Sequence, residues 1–415
     1  MTRLKKYIDG WSWTDYGVVS LLIVFCAFNK LMPVLMIVTF LSLIKLRKES
    51  IEIKKMLSLK LPFVWMIIFF FTHVFGLFYT EKFHIGIEDV GMKLSFVLFP
   101  LFFIFSKIKL TTKQIAELYI GGVLLAVVVC FGHAIFRSIY NVEDNNWAYF
   151  TESYFSFMMH RSYFGTYLAL GTLFSWVYFF KYKFKGEKRE FFFILIPFLF
   201  FASTLLTFSK AAILILIVQL VPLTYYLLSK YGKKMHAIIG VLILAVVLSF
   251  VLMTENRINA RFVQMLKRVT AEKVVANNEI ESNSSRLIMW STSLELIKET
   301  PVFGTGTGDV KHVLYKRNYQ LENFGVADSQ LNSHNQYLNT CVQLGLFGLI
   351  PLLVFLITSF KLAFNKKSLL LTLMMITFSL TMLFESFLET QAGIIPVTFL
   401  ILLFSQSEVG YKKTI

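Results

Sequence analysis

Residues 61–79 read LPFVWMIIFFFTHVFGLFY, nineteen residues without one Asp, Glu, Lys or Arg. A helix needs about 20 apolar residues to cross a bilayer core, with a range of roughly 17–25. This run meets that length, and it has company. Working outward, comparable runs lie at 15–29, 31–46, 93–106, 114–136, 161–180, 191–207, 210–229, 236–253, 336–360, 367–385 and 388–405. The pattern predicts an all-α, polytopic integral membrane protein of about twelve transmembrane helices. The bulk composition agrees. Of 415 residues, 56% are hydrophobic and only 16% charged, against roughly 25% charged in a soluble domain. No soluble fold has room inside for 45 Phe. The first apolar run is followed at once by a second rather than by a small-residue cleavage site, so no cleavable signal peptide is expected.

The formal charge of +16 is distributed as a membrane protein distributes it, not as a nucleic-acid binder does. The basic residues cluster in alternate connecting segments: Arg3/Lys5/Lys6, Lys45 to Lys60, Lys107/Lys109/Lys113, Lys181 to Arg189, Lys230/Lys233/Lys234, Lys361/Lys366/Lys367 and Lys412/Lys413. The short intervening segments hold only Lys30, Lys82, Lys93, Arg137, Arg161 and Lys210, and the other ten basic residues lie in one long loop. Basic loops stay cytoplasmic, which puts both termini inside, as an even number of spans requires. The chain then divides into helices 1–9 (1–253), one long external loop (254–335) and helices 10–12 (336–415). Membrane lipids are expected partners, and nucleic acid is not. Cys26, Cys130 and Cys341 lie within or at the edge of apolar runs. With no CxxC pair they predict packing, neither a disulfide framework nor a metal site.

The external loop is more than a linker, since loops this long without a function are uncommon. Asn256–Val269 carries Ile258, Phe262, Met265, Leu266 and Val269 on one stripe flanked by Arg257, Arg261, Lys267 and Arg268, which predicts an amphipathic helix lying on the membrane surface. A second helix is expected from about Arg286 to Glu299, stopped before Pro301, and a third over Val310–Tyr319. Ser333 and Gln336 have the capping-box spacing for the start of the tenth helix. The Gly304/Gly306/Gly308 run lacks the preceding strand and following Lys-Ser/Thr of a P-loop. It reads as a tight turn, with an anion facing its backbone amides as the alternative.

Four elements in order now acquire meaning: Ser285-Arg286-Leu-Ile-Met-Trp290, Pro301-Val-Phe-Gly304-Thr-Gly306-Thr-Gly308, His334-Asn335-Gln-Tyr337-Leu338, and Gly345-Leu-Phe-Gly348. Over residues 285–348 the chain resembles the O-antigen ligase and polymerase family. The resemblance implies transfer of a glycan from an undecaprenyl-pyrophosphate carrier, at the periplasmic face of the bacterial inner membrane, without metal or cofactor. A ligase delivers to a lipid A–core sugar or other glycan acceptor; a polymerase delivers to another carrier-linked repeat. The compact length and single long loop favour ligase. The family's functional histidine matches His334 and its loop arginine matches Arg286. A second arginine, normally in a Ser-Arg-Gly-like motif, is replaced here by Lys210 within Thr207-Phe-Ser209-Lys210-Ala211-Ala212. The charge is kept while the forked guanidinium is lost.

These residue types suit the chemistry. A diphosphate leaving group gains negative charge as its bond to the sugar breaks, and fixed cations stabilise it; Lys210, Arg286 and Arg161 are expected to supply them. His334, as an imidazole, can take the proton of an attacking sugar hydroxyl near neutral pH. His160 and Arg161, opening the sixth span on the same side, are the remaining substrate-binding candidates, with interfacial anchoring as their plainer role. His73, Glu385 and Glu389 are ionisable groups near lipid, but the reading assigns them no part. A transporter or lipid-linked-sugar flippase calls for polar or broken helices in related halves, and the polar density here is one-sided. An assembly protein explains the hydrophobicity but not the His/Arg motif.

Overall fold

The computed structural model describes residues 11–24, 26–27, 31–41, 62–106, 108–140, 146–183, 193–231, 240 and 282–407. Among the described residues all regular structure is helical. The helices are α1 (Trp13–Val24), α2 (Met32–Leu41), α3 (Pro62–Gly76), α4 (Phe83–Lys93), α5 (Ser95–Phe105), α6 (Thr112–Tyr140), α7 (Glu152–Phe155) and α8 (Arg161–Tyr178). They continue with α9 (Leu195–Leu206), α10 (Lys210–Tyr231), α11 (Ser282–Glu299), α12 (Val310–Gln320), α13 (Phe324–Asp328), α14 (Gln336–Asn365), α15 (Leu369–Phe384) and α16 (Gln391–Ser407). Each apolar run that falls on described residues is a helix. The run 236–253, apart from residue 240, and the amphipathic segment 256–269 lie outside the described residues.

Among the described residues, three segments are long and apolar enough to cross a bilayer: Pro62–Tyr79, Thr112–Tyr140 and Gln336–Asn365. Shorter apolar helices accompany them, including α1, α9, α15 and most of α16. The outside of the bundle is itself apolar. Leu346, Ile350, Leu353, Ile357 and Phe364 form an exposed stripe along α14, and Val128 and Ile135 do the same on α6. Stripes of this kind face water in no ordinary soluble fold; here they face hydrocarbon. The chain is a membrane protein. Inside, α8 sits at the centre, buried along most of its length between α6, α9, α10 and α15. Mid-helix hydroxyls close onto their own helix, Thr166 donating to Ser162 O, Thr172 to Leu168 O and Ser175 to Gly171 O.

Helix α14 is broken. Gly345 lies at φ 59°, ψ −152°, a region open essentially to glycine alone. The break frees backbone groups on both sides, and the glycine-rich turn takes them up. Thr305 N and Gly306 N donate to Val342 O and Gln343 O at 2.9 and 3.0 Å, while Leu346 N and Phe347 N donate to Pro301 O and Val302 O at 2.9 and 3.0 Å. The remaining amides of the turn are also engaged: Gly304 N with Thr300 O, Gly308 N with Thr80 Oγ1, and Asp309 N with Gly306 O. This excludes the anion-facing alternative for the glycines, because the amides are already used. The turn is a wedge that satisfies a broken membrane helix. Asp309 locks it further, accepting from Glu81 N and Lys82 N at 2.8 Å each.

Helices α11, α12 and α13 pack on the first half of α14 through a small core of their own, made by Met289, Leu296, Val310, Leu314, Val326 and Val342. The start of α14 corrects one expectation. Asn335, not Ser333, caps it, its Oδ1 accepting from Tyr337 N and Leu338 N at 2.9 and 3.1 Å. Ser333 is instead buried against Ser293, whose hydroxyl donates to it at 2.9 Å. α4 is also unforeseen, since His84, Glu88, Asp89 and Lys93 interrupt its apolar pattern.

Candidate active site

Four separate elements converge on one carboxylate. Glu385, only 5% exposed at its side chain, follows α15 directly. Its Oε1 accepts from Arg286 Nη2 at 2.6 Å and from the Ser162 hydroxyl at 2.9 Å. Its Oε2 lies 3.2 Å from His334 Nδ1. Arg286 comes from the first turns of α11, Ser162 from the first turn of α8, and His334 from the segment leading into α14.

Local structure sets each of these. His334 holds φ at +45°, an uncommon conformation for a residue with a side chain, typical of functional positions. Its amide donates to Asn332 Oδ1 at 3.0 Å, and Asn335 turns the chain into α14 just beyond it. Glu385 is held from the α8 side as well: the Tyr163 hydroxyl donates to Ser386 O at 3.3 Å, and the Tyr163 ring stacks on Phe387 at 5.0 Å.

The electrostatics follow from this geometry. Burial pushes the Glu385 carboxyl up, but the hydrogen bond from His334, the charges of Arg286 and His334 and the Ser162 hydroxyl outweigh it and hold it below its ordinary value. Glu385 is therefore a carboxylate. A carboxylate facing Nδ1 takes that nitrogen's proton as a hydrogen-bond donor, which leaves Nε2 with the free lone pair. Arg286 is partly buried, and its Nε–H has no protein partner among the described residues. One edge of the guanidinium is tied to Glu385 and another donor remains for an anionic ligand.

The lowered Glu385 pKa has a signed consequence. The stability it contributes is complete above the ordinary glutamate value of 4.5 and is lost as the pH falls below it. Thermal midpoints of the reconstituted protein are expected to hold down to that pH and drop beneath it, and Glu385→Gln is expected to lack the Glu385 part of the drop. Equal acid drops in both proteins would refute this.

The other residues expected from sequence sit close by without joining the cluster. His160 caps α8, its Nδ1 accepting from Ser162 N at 3.4 Å, and its ring feels the charges of Glu385, Arg161, His334 and Arg286. Arg161 pairs with Glu152 at 3.5 Å rather than with Glu385. Lys210 opens α10 and is exposed. A Cβ added to Gly165 on α8 would stand 2.6 Å from Ala212 Cβ and 3.2 Å from Ser209 Cβ, so Lys210 and Arg161 belong to the same end of the bundle. Glu385 and Ser162 were missed from sequence. The available signal for Glu385 was an acid at the end of an apolar run, on the side assigned to His334.

Comparison with known proteins meets this site. Residues 193–353 match the family model described as O-antigen ligase. The resemblance read from the motif thus holds, and the matched part of the chain carries Lys210, Arg286, His334 and the broken helix. An uncharacterized protein of Haemophilus influenzae is 36% identical over 85 residues, which is 20% of this chain and 21% of that relative. The chain thus matches about a fifth of the length of that curated relative. The apolar helices and this match together make the chain a membrane protein with an O-antigen-ligase-like region.

Proposed function

We propose that the chain moves a glycan from undecaprenyl pyrophosphate to an acceptor sugar at the periplasmic face of the bacterial inner membrane, as an O-antigen or surface-polysaccharide ligase. The observation that carries the reading is the Glu385 carboxylate joined to both His334 and Arg286. In this reading His334 Nε2 takes the proton of the acceptor hydroxyl as its oxygen attacks the anomeric carbon. The glycosidic bond forms, the bond to the pyrophosphate oxygen breaks, and undecaprenyl pyrophosphate departs with the electron pair. Arg286, Lys210 and Arg161 stabilise that growing charge. Attack opposite the leaving group inverts the anomeric centre. Pyrophosphate leaves readily enough to need neither metal nor general acid.

The same reading assigns about twelve spans, both termini to the cytoplasm and segment 254–335 to the periplasm. The clustering of Lys/Arg in alternate loops supports that orientation.

The test uses a host deleted for this gene and complemented with wild type, His334→Ala or Arg286→Ala at matched membrane levels. Both substitutions are expected to abolish transfer while carrier-linked glycan accumulates. The lengths of acceptor-linked chains then separate ligase from polymerase. Full transfer by both variants overturns the site and restores the flippase and assembly readings. For Lys210, charge is expected to matter more than shape. Lys210→Ala should lower transfer by at least about tenfold, short of the roughly 10²–10³ an enclosed donor is worth because Lys210 is exposed, and Lys210→Arg should retain it. Equal losses in the two would refute the electrostatic role.

A further inference from the structure

A second charged cluster lies beside the Glu385 site, and the chemistry above does not use it. Lys93, the last residue of α4, has a side chain that is 0% exposed. Its ammonium is 2.7 Å from Asp89 Oδ1, one turn earlier, and 2.8 Å from Glu389 Oε2, in the turn between α15 and α16. Asp89 Oδ2 accepts from Gln343 Nε2 at 2.7 Å, which also donates to Thr307 O at 2.6 Å. Glu389 Oε1 accepts from Gln336 Nε2 at 2.9 Å, and Gln336 Oε1 accepts from Leu388 N at 2.6 Å. All four carboxylate oxygens are partnered. His73 is the remaining ionisable group within reach of these charges.

Stability alone does not account for this arrangement. Buried ions lose their hydration, and well-packed apolar side chains of similar volume often serve a fold as well or better. Two carboxylates against one ammonium also leave the group without exact neutrality unless a proton is taken up. What ions give that apolar contacts do not is direction. The direction here is toward the site. Gln336 follows His334 by two residues, and Leu388 and Glu389 follow Glu385 by three and four. Between Glu385 and Glu389 the chain is a single tight turn, with Phe387 N donating to Glu385 O at 2.8 Å and Glu389 N to Ser386 O at 3.2 Å. A turn that short transmits any shift of Glu389 to Glu385.

We propose that Lys93 is a positioning residue for the transfer site: through Glu389 it fixes the turn that holds the Glu385 carboxylate between His334 and Arg286. The proposal rests on the transferase reading above. Lys93 touches neither donor nor acceptor in this account. It acts by keeping Glu385 where both partners can reach it, with Gln336 tying the same turn to the start of α14.

The test uses full-length protein in lipid nanodiscs, with a defined polyprenyl-pyrophosphate-linked glycan as donor and purified acceptor. Glu389→Gln is the first variant, because it keeps shape and leaves Lys93 paired with Asp89, so it is expected to fold, with a thermal midpoint lowered by the acceptor it loses. Lys93→Met is the second. Both are expected to lower kcat by about tenfold or more with KM for the donor changed less than about threefold, the signature of a lost transition-state interaction. Placed on Glu385→Gln, each is expected to cost less than about twofold further, because residues acting through one another are not additive. A folded Glu389→Gln enzyme with wild-type kcat overturns the proposal alone, as does a loss that multiplies unchanged onto Glu385→Gln. A Glu385→Gln enzyme at the wild-type rate overturns the site reading itself, and the proposal with it.

Discussion

Replacing Glu385 with glutamine is expected to cut glycan transfer by about two orders of magnitude, within the range of about 10²–10⁴ usual for general-base catalysis. The carboxylate has two tasks that an amide performs poorly. It fixes the His334 tautomer with the proton on Nδ1, across 3.2 Å, and it holds Arg286 Nη2 at 2.6 Å. Glutamine keeps the size but offers His334 either an oxygen or an amide, so the ring is free to bind by the wrong nitrogen. Because Glu385 acts through His334, the losses should not multiply. His334→Ala combined with Glu385→Gln is expected to be about as slow as His334→Ala alone. Initial transfer rates for the wild type, both single variants and the double variant decide the matter. A double variant slower by the product of the single effects would mean that Glu385 works independently of the histidine.

The second large effect is on folding. Gly345→Ala is expected to prevent accumulation of folded protein in the membrane. A Cβ at Gly345 would stand 2.4 Å from both the carbonyl carbon and the oxygen of Val302, and these are backbone atoms with no rotamer to yield. The positive φ adds strain of about 1–3 kcal/mol. Displacing the wedge would strand the four amide–carbonyl pairs that join 301–306 to 342–347, each worth about 1 kcal/mol net and more when left unsatisfied in hydrocarbon. Gly121→Ala is the control, since nothing lies within 4 Å of a Cβ there. Membrane-fraction yield and monodispersity in detergent should fall for Gly345→Ala and stay at the wild-type level for Gly121→Ala. Equal yields would mean that the break in α14 is not required for the fold.

The line between what was legible and what was not runs through particular residues. The membrane class was legible, because runs such as 61–79 have one stable home and their length is set by bilayer thickness. Helices α11 and α12 were legible too, the end of α11 from Pro301, although α11 begins at Ser282 rather than near Arg286. That His334 and Arg286 belong to one motif was legible because the motif is local in sequence; that both meet Glu385 was not. Glu385 lies 51 residues after His334 and 99 after Arg286, and a carboxylate at the end of an apolar run looks the same whether it faces water or a histidine. Lys93 was hidden for the same reason, its two carboxylates coming from α4 itself and from the far end of the chain.

The glycines show the division most clearly. Their number and spacing announced a turn, and sequence alone determined that much, since only glycine adopts φ values such as +68° at Gly304 and +115° at Gly306 at little cost. What the turn is for was decided by tertiary structure. Its amides are spent on Val342 and Gln343 because α14 breaks at Gly345, and no local pattern says which distant carbonyls a backbone will meet. Periodicity and composition act over a few residues and set where helices form in a bilayer. Which ionisable groups come to share a buried site depends on how those helices pack, and long-range contact alone decides it.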